Sequence, residues 1–438
     1  MTNKAKSYKN THIKNHKLHA ETQMMSYGYD PFMSEGAAKP PVFLTSTFVF
    51  ASAEDGADFF DIVGGRKSPP KGHNGGLVYS RFNHPNLEII EDRMALLEEA
   101  EACNIFSSGM SAISATFLAL LKPGDIIVHS LPIYGGTETI IRKSLKNWGI
   151  DSIAFQDGLD QKNIENTLEI AAKKGRVGMI YIETPANPTN SMVDFGKIKN
   201  AADNFKKKHG YSVVTICDNT RFGPVFQKPL LHGIDLTCYS LTKYVGGHSD
   251  LVAGAVAGKK EYMDKIRAIR NSFGFHLDPH SSWMIGRSLE TLFVRMKRAE
   301  ESANEVANWL KNNRYSKVKI FHPQHIKDKK YQETFRKQCS GNGSTFAFEI
   351  DGDRKKSFKL INALVIFKSA VSLGGTESLI CHPASTTHSG IPKELREDFG
   401  ISEGLIRISI GLENPKDLIA DLENAFRAAF KSYTISIK

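Results

Sequence analysis

Short apolar segments alternate with amphipathic helical segments through the middle of this 438-residue chain, and this alternation limits its fold more than any other feature. Four segments rich in β-branched residues are predicted as buried strands: residues 126–129, 177–182, 212–217 and 236–240. Three segments between them have helical spacing: residues 138–148, 164–174 and 197–208. The alternation predicts an α/β fold with a mostly parallel sheet covered by helices on both faces.

Past about residue 290 the pattern changes to long helices and then to strands at 345–350 and 405–410, followed by a closing helix at 415–430. This order predicts a smaller α+β domain. A chain of this length exceeds what one compact core supports. We therefore expect three parts: an N-terminal arm and contact segment (1–84), a large domain (85–292) and a C-terminal α+β domain (293–438).

The net charge of +10 does not indicate a nucleic-acid-binding protein. Much of the excess lies in a basic arm before Glu21, which we expect to be disordered or draped over a partner. The remaining basic residues are spread out and form no stripe interleaved with aromatic residues. A basic surface of this kind attracts small anions such as phosphorylated cofactors.

The cysteines favour a reducing compartment. They are odd in number, scattered and without a C-x-x-C pair: Cys103, Cys217, Cys238, Cys339 and Cys381. This pattern argues against a disulfide framework and against a zinc site, so we expect no metal. No apolar run is long enough to span a bilayer, and we expect a cytoplasmic protein without a membrane partner.

Polar clusters follow three successive predicted strands, at residues 183–187, 218–220 and 240–243. In parallel sheets, ligands bind beyond the carboxyl ends of the strands. One such cluster alone is weak evidence for a site, because it can equally be a turn, a helix cap or a solvated strand end. Three successive clusters predict one site.

The residue types in these clusters suit pyridoxal phosphate (PLP). Its aldehyde needs a lysine amine, its pyridine nitrogen a buried carboxylate, and its phosphate hydroxyls and free N–H groups. Lys243 follows Ser240 and Thr242, whose hydroxyls lie in the same turn, and Asp218 ends the preceding strand. Residues 107–110 (SSGM) open a predicted helix whose positive end suits an anion.

Several longer sequence motifs indicate a resemblance to a known protein family. In chain order they are PPVFLTSTF near Pro41, YSRFNHPN at Tyr79, FSSGMSAI at Phe106, YGGT at Tyr134, ETPANP at Glu183, CDNT at Cys217, SLTKYVGGHSD at Ser240, HPASTTH at His382 and RISIGLE at Arg407. From about Glu21 to the C-terminal helix, the chain resembles the cystathionine γ-synthase-like family of Cys/Met-metabolism PLP enzymes. The resemblance implies the aspartate-aminotransferase-like fold (fold type I), with PLP bound by the large domain.

The resemblance also implies residue roles. Lys243 would form the Schiff base with PLP and later act as the general base, and Tyr134 would lie over the cofactor ring. The implied cofactor-binding residues are Tyr79, Arg81, Ser108, Gly109, Met110, Tyr134, Asp218, Ser240, Thr242 and Lys243. Asp218 would pair with the pyridine nitrogen. A deprotonated Tyr134 would start amine exchange or protonate the leaving sulfur, which requires positive charge nearby.

Two further sets of residues concern the substrate and the assembly. Arg407, with Asn187 and Ser372, would hold the α-carboxylate of a small amino-acid substrate. Tyr79 and Arg81 match residues that reach a neighbouring subunit's phosphate site, which implies a homo-oligomer, at least a dimer and usually a tetramer in this family.

Three positions bear on the reaction. Val371 stands where cystathionine γ-synthases and γ-lyases usually have a glutamate, which favours an apolar substrate tail. Gly136 replaces the cysteine typical of methionine γ-lyases, and Arg221-Phe222 departs from the family's usual Phe-Ala/Thr continuation after Asp-Asn-Thr. The extra loop at 64–76 lies just before Tyr79.

From these positions we expect a C–S lyase of the cystathionine β-lyase or methionine γ-lyase type, which releases a 2-oxo acid, ammonia and a thiol. The alternative within the fold is γ-replacement, by a cystathionine γ-synthase or an O-acylhomoserine sulfhydrylase. A non-catalytic binding protein would lack Lys243, Asp218 or Arg407, and all three are present. A PLP aminotransferase is not favoured by the HPASTTH and YGGT strings.

Overall fold

The computed structural model describes residues 8–63, 66–68 and 76–430. Its strands are β1 (His12–Ile13), β2 (His16–Lys17), β3 (Ala102–Phe106), β4 (Asp125–Ser130), β5 (Asp151–Phe155), β6 (Arg176–Glu183), β7 (Val214–Asp218), β8 (Leu236–Ser240), β9 (Gly254–Gly258), β10 (Val318–Phe321), β11 (Thr345–Ile350), β12 (Lys368–Ser369), β13 (Leu379–Cys381) and β14 (Leu405–Ser409). Its α-helices are α1 (Ala20–Gln23), α2 (Ala53–Val63), α3 (Pro85–Glu98), α4 (Gly109–Leu120), α5 (Gly135–Thr139), α6 (Gln161–Ala172), α7 (Phe195–His209), α8 (Lys260–Phe273), α9 (Pro279–Leu289), α10 (Leu292–Asn312), α11 (Lys329–Gln338), α12 (Arg354–Asn362), α13 (Lys393–Asp398) and α14 (Pro415–Ala429).

The central sheet has seven strands in the order β3-β9-β8-β7-β6-β4-β5. All neighbours from β8 to β5 are parallel, and β9 is antiparallel to both β3 and β8. The predicted mostly parallel α/β sheet is thus confirmed. Because β6, β7 and β8 run the same way, their carboxyl ends lie side by side at one edge.

Side chains of the central strands alternate between two apolar clusters, one on each face of the sheet. Met179 and Tyr181 of β6 pack with Phe117 of α4, on the side that also carries α8. Ile180 and Ile182, which point the opposite way, pack with α6 and α7. This alternation follows from strand geometry, and burial on both faces explains why these strands have few polar residues.

The smaller domain is built on a five-stranded sheet in the order β10-β11-β14-β13-β12. Helices α10, α12 and α14 cover it with one apolar cluster. Arg407 lies on its middle strand, β14, opposite Ala347 of β11 and Cys381 of β13. This register brings a buried arginine from the smaller domain to the edge of the central sheet.

The structure divides one helix that the sequence predicts as continuous. The predicted helix over 138–148 is divided into α5, a π-helical turn (Ile140–Ser144) and a 3-10 turn (Leu145–Trp148). The change of turn falls within three consecutive β-branched residues, 139–141, which fit a regular helix poorly. The turn ends at Gly149, whose positive φ of 73° suits glycine.

The basic arm is described from residue 8 onward, and there it lies along its own chain. β1 and β2 form a short antiparallel hairpin. Lys9 pairs with Asp92 of α3 at 2.6 Å. Residues 1–7 and most of the predicted loop at 64–76 lie outside the described residues. In the described ranges, every helix is too short or too polar to cross a bilayer.

Substitution of Asp421 tests what stabilises the smaller domain. Its buried carboxylate accepts hydrogen bonds from the backbone N–H groups of Val365, Ile366 and Phe367, at 2.9, 2.8 and 3.2 Å. Asp421→Ala leaves these donors without their partner, so we expect the free energy of unfolding in urea to fall by roughly 2 to 4 kcal/mol. Asp417→Ala, an exposed position on the same helix, is the control and should cost less than about 1 kcal/mol. Equal losses would contradict this role of Asp421.

Candidate active site

The three predicted polar clusters meet at the edge of the central sheet. Glu183 ends β6 and lies opposite Asp218, which ends β7. Ser240 ends β8, and its backbone N–H donates to Oγ1 of Thr220 at 2.9 Å. Residues far apart in sequence therefore line one site because parallel strands end together.

Lys243 lies in the turn after β8, where its Nζ donates to Oγ of Ser372 at 2.8 Å. Burial, followed by the positive charge of Arg407, lowers the pKa of Lys243 to about 8. Its amine is therefore neutral over a wider pH range than that of an exposed lysine. A neutral amine is the form that reacts with a carbonyl group.

Asp218 is a buried carboxylate held by hydroxyl and amide donors. Its Oδ1 accepts from the N–H and Oγ1 of Thr220, at 3.1 and 2.6 Å, and its Oδ2 accepts from the Tyr181 hydroxyl at 3.3 Å. Burial raises the pKa of Asp218. Within the described ranges no lysine or arginine forms an ion pair with it, so a cationic ligand group would meet an unpaired acid.

The first turn of α4 lies against the end of β8. A Cβ placed on Gly109 would come within 2.9 Å of Cβ of Ser240, so glycine allows this close approach. The hydroxyl of Ser108 caps α4 by accepting from the N–H of Ser111 at 2.9 Å. The hydroxyl of Thr242 accepts from the N–H of Ala253 at 3.0 Å. The helix terminus and Ser240 together form a cradle suited to an anion such as phosphate.

Tyr134 immediately precedes α5 and is 46% exposed. A Cβ on Gly136 would lie 2.6 Å from Cε1 of Tyr134 and 3.2 Å from Sδ of Met110. The phenol ring thus lies beside Met110, over the start of α5. A larger residue at position 136, such as cysteine, does not fit this ring position.

Arg407 is buried, and its guanidinium donates hydrogen bonds to carbonyl oxygens and to no carboxylate of the described residues. Nη2 donates to the carbonyl oxygens of Val371 and Ser372, both at 2.9 Å, and Nη1 donates to Oδ1 of Asn187 at 3.4 Å. Its Nε has no hydrogen-bond partner. No carboxylate in the described part of the chain forms an ion pair with Arg407, which therefore suits the carboxylate of a ligand.

Within the described residues, the side chains of Tyr79 and Arg81 form no hydrogen bond with the site residues above. Arg81 donates to the backbone carbonyl of Asn271 and lies over the ring of Phe82, 4.4 Å from its centroid. Tyr79 is 41% exposed. Neither is hydrogen-bonded to Lys243 within the described residues.

Sequence reasoning gave no role to the carboxylate of Glu183. It accepts from the backbone N–H groups of Tyr134 at 2.5 Å and Asn187 at 3.1 Å, so it joins the loops that carry these residues. Burial and the nearby Asp218 raise the pKa of Glu183 to about 8, whereas these two donors and the charge of Arg221 act in the opposite direction. The sequence signal that could have identified Glu183 was its position at the end of β6, directly before residues 184–187.

A lysine of lowered pKa, a buried acid without an ion pair among the described residues and an anion cradle lie together at one sheet edge, and these are the kinds of group that PLP requires. The chain belongs to the family described as Cys/Met metabolism PLP-dependent enzyme, whose model matches residues 21–427. The protein is thus a PLP-dependent enzyme of sulfur amino-acid metabolism, and the predicted family, fold and cofactor are confirmed.

Three relatives show the range of reactions in the family. The chain is 37% identical to L-methionine gamma-lyase of Pseudomonas deceptionensis, covering 93% of this chain and 97% of the relative. It is 35% identical to cystathionine gamma-lyase of Bacillus subtilis, covering 92% and 98%. The crystal structure of cystathionine gamma synthase from Xanthomonas oryzae pv. oryzae in complex with cystathionine matches with a TM-score of 0.82 at 31% identity, covering 94% and 98%. Lyases and a synthase thus share this fold.

The lowered pKa of Lys243 is testable in the cofactor-free protein. We expect acetic anhydride to label its amine with a half-maximal rate near pH 8, because only the neutral amine reacts. The exposed Lys162 serves as the internal reference, and Lys243 should reach its half-maximal rate at the lower pH. The two rates are measured together by peptide mass spectrometry. Arg407→Met removes a nearby positive charge and should raise the midpoint of Lys243; coincident midpoints for Lys243 and Lys162 would contradict the assignment.

Proposed function

We propose that the enzyme is a C–S lyase that eliminates a thiol from methionine-like amino acids and releases a 2-oxo acid and ammonia. The apolar Val371 carries this proposal, because it directly precedes Ser372, whose hydroxyl accepts from Lys243. An apolar side chain offers no partner to the distal ammonium of cystathionine, whereas it tolerates the thioether tail of methionine. The similarity to a methionine gamma-lyase over 93% of the chain supports the same reaction.

The residues fit PLP, which, when bound, withdraws electrons from Cα of the substrate and acidifies its hydrogen. Lys243 would hold the cofactor and, once the substrate amine displaces it, remove the Cα proton as general base. Its lowered pKa increases the neutral fraction of the amine, and its hydrogen bond to Ser372 orients it. Asp218 would keep the pyridine nitrogen protonated, since a cation there offsets the cost of its buried charge.

The remaining site residues divide between phosphate and substrate. Gly109, Met110, Ser240, Thr242 and Ser108 would surround the phosphate, with the α4 terminus as its electrostatic partner. Most hydrogen bonds to the phosphate would come from backbone N–H groups, because the hydroxyls of Ser108 and Thr242 already accept hydrogen bonds from the backbone.

Arg407, Asn187 and Ser372 would hold the α-carboxylate and thereby orient the Cα–H bond towards Lys243. The half-exposed Tyr134 lies at the rim, where its hydroxyl would move a proton during amine exchange or to the leaving sulfur.

We further propose that the active unit is at least a dimer, and that it is a tetramer, as is usual in this family. Tyr79 and Arg81 would complete the phosphate site of the neighbouring subunit, which would explain why neither is hydrogen-bonded to Lys243 among the described residues of its own chain. The N-terminal segment up to residue 84 would then be a subunit contact, with 85–292 and 293–438 as the two domains.

Product identification tests the reaction. PLP-loaded enzyme is incubated with L-methionine or L-cystathionine, and the 2-oxo acid is identified by mass. We expect 2-oxobutyrate and methanethiol from methionine, and a loss of at least roughly 10³-fold for Lys243→Ala because the general base is gone. Pyruvate from cystathionine would instead establish β-elimination. Consumption of O-acylhomoserine only when a thiol is added would establish γ-replacement and overturn the lyase proposal.

Val371→Glu tests substrate choice. A carboxylate at this position pairs with the distal ammonium of cystathionine, so we expect kcat/KM for cystathionine over methionine to rise by roughly tenfold or more. Val371→Gln, which has nearly the same size and no charge, is the matched control and should change the ratio far less. Retention of PLP absorbance checks that the site is intact. An unchanged ratio in the glutamate variant would show that residue 371 does not contact the substrate tail.

A further inference from the structure

Arg221 is a buried cation that interacts electrostatically with the carboxylate of Glu183 without forming a direct ion pair. It is 4% exposed and follows the end of β7 by three residues. None of the described carboxylates forms an ion pair with it. Burial lowers the pKa of Arg221 to about 10, so the group stays charged at neutral pH. A buried charge of this kind is costly, which suggests that its position serves a purpose.

The two arms of the Arg221 guanidinium reach different parts of the site. Nη1 donates to the backbone carbonyl of Ala186 at 2.7 Å, in the loop after β6. Nη2 donates to the backbone carbonyl of Thr345, the first residue of β11 in the smaller domain. Arg221 thus joins a loop of the central sheet to the sheet that carries Arg407.

Both residues that Arg221 contacts are close in sequence or in the sheet to Asn187 and Arg407, the residues proposed to bind the substrate α-carboxylate. Ala186 directly precedes Asn187, whose Oδ1 accepts from Arg407. Thr345 lies opposite Ser409 of β14, two residues after Arg407, and its Oγ1 is 3.1 Å from Oγ of Ser409. A guanidinium has the planar fork needed to hold two carbonyls at once, which the single ammonium of lysine lacks.

We propose that Arg221 is a positioning residue that fixes Asn187 relative to Arg407 and thereby sets the geometry in which the substrate α-carboxylate is bound. The inference rests on the proposed function in one respect, the assignment of Arg407 to that carboxylate. It adds a residue that touches neither cofactor nor substrate and acts through the loop and the strand it joins.

The test measures carboxylate binding separately from turnover. The probe is 4-(methylthio)butanoate, which has the carboxylate and tail of methionine and no amine to exchange. Its Kd for the PLP-loaded enzyme is measured by calorimetry for the wild type, Arg221→Met, Arg221→Lys and Arg407→Met. Arg93→Met is the matched structural control, because Arg93 is also buried and also joins two carbonyls, those of Tyr27 and Gly286.

We expect both Arg221 variants to weaken binding by roughly tenfold or more and to raise KM with little change in kcat. Arg93→Met should lower thermal stability and leave Kd unchanged. If Arg221→Lys binds like the wild type, charge alone suffices and the proposal is overturned. It is also overturned if Arg221→Met loses stability without losing affinity. If Arg407→Met binds as well as the wild type, the assignment of Arg407 to the carboxylate has failed, and with it the part of the proposed function on which this inference rests.

Discussion

The site is organised around buried charges that the described chain leaves without ionic partners. Asp218 forms no ion pair with a described lysine or arginine, and Arg407 forms none with a described carboxylate. Moving such groups out of water costs several kcal/mol unless other polar groups compensate. The chain supplies that compensation through hydroxyls and backbone groups, as in the contacts of Asp218 with Thr220 and Tyr181. Charged ligands would then add the missing ionic partners.

This arrangement requires both domains. The central sheet supplies the strand ends that carry Glu183, Asp218 and Lys243, and the smaller sheet supplies Arg407. Helix α10 links the two regions, since Arg295 donates to the carbonyls of Tyr244 and Val245 in the turn that follows Lys243. The geometry around the lysine therefore depends on elements from both sides of the molecule.

Much of this architecture could be predicted from the sequence, because it follows from general properties of strands. Parallel strands end together, so the polar residues after β6, β7 and β8 had to meet, and the family strings supplied their expected roles. Contacts between distant segments could not be predicted. Arg221 was visible as an unusual residue, but its bond to Thr345 spans 124 positions of the chain. Likewise, composition did not reveal that the hydroxyls of Ser108 and Thr242 are occupied by the backbone, nor that residues 138–148 change turn type.

The contact between Arg407 and residue 371 has an evolutionary consequence. Arg407 donates to the backbone carbonyl of Val371, a residue that is 56% exposed. Every amino acid presents the same carbonyl, so mutations at this position can change the neighbouring surface without removing the arginine's partner. Such a layout allows residue 371 to vary by single substitutions over many generations while the main-chain contact that holds Arg407 is inherited unchanged.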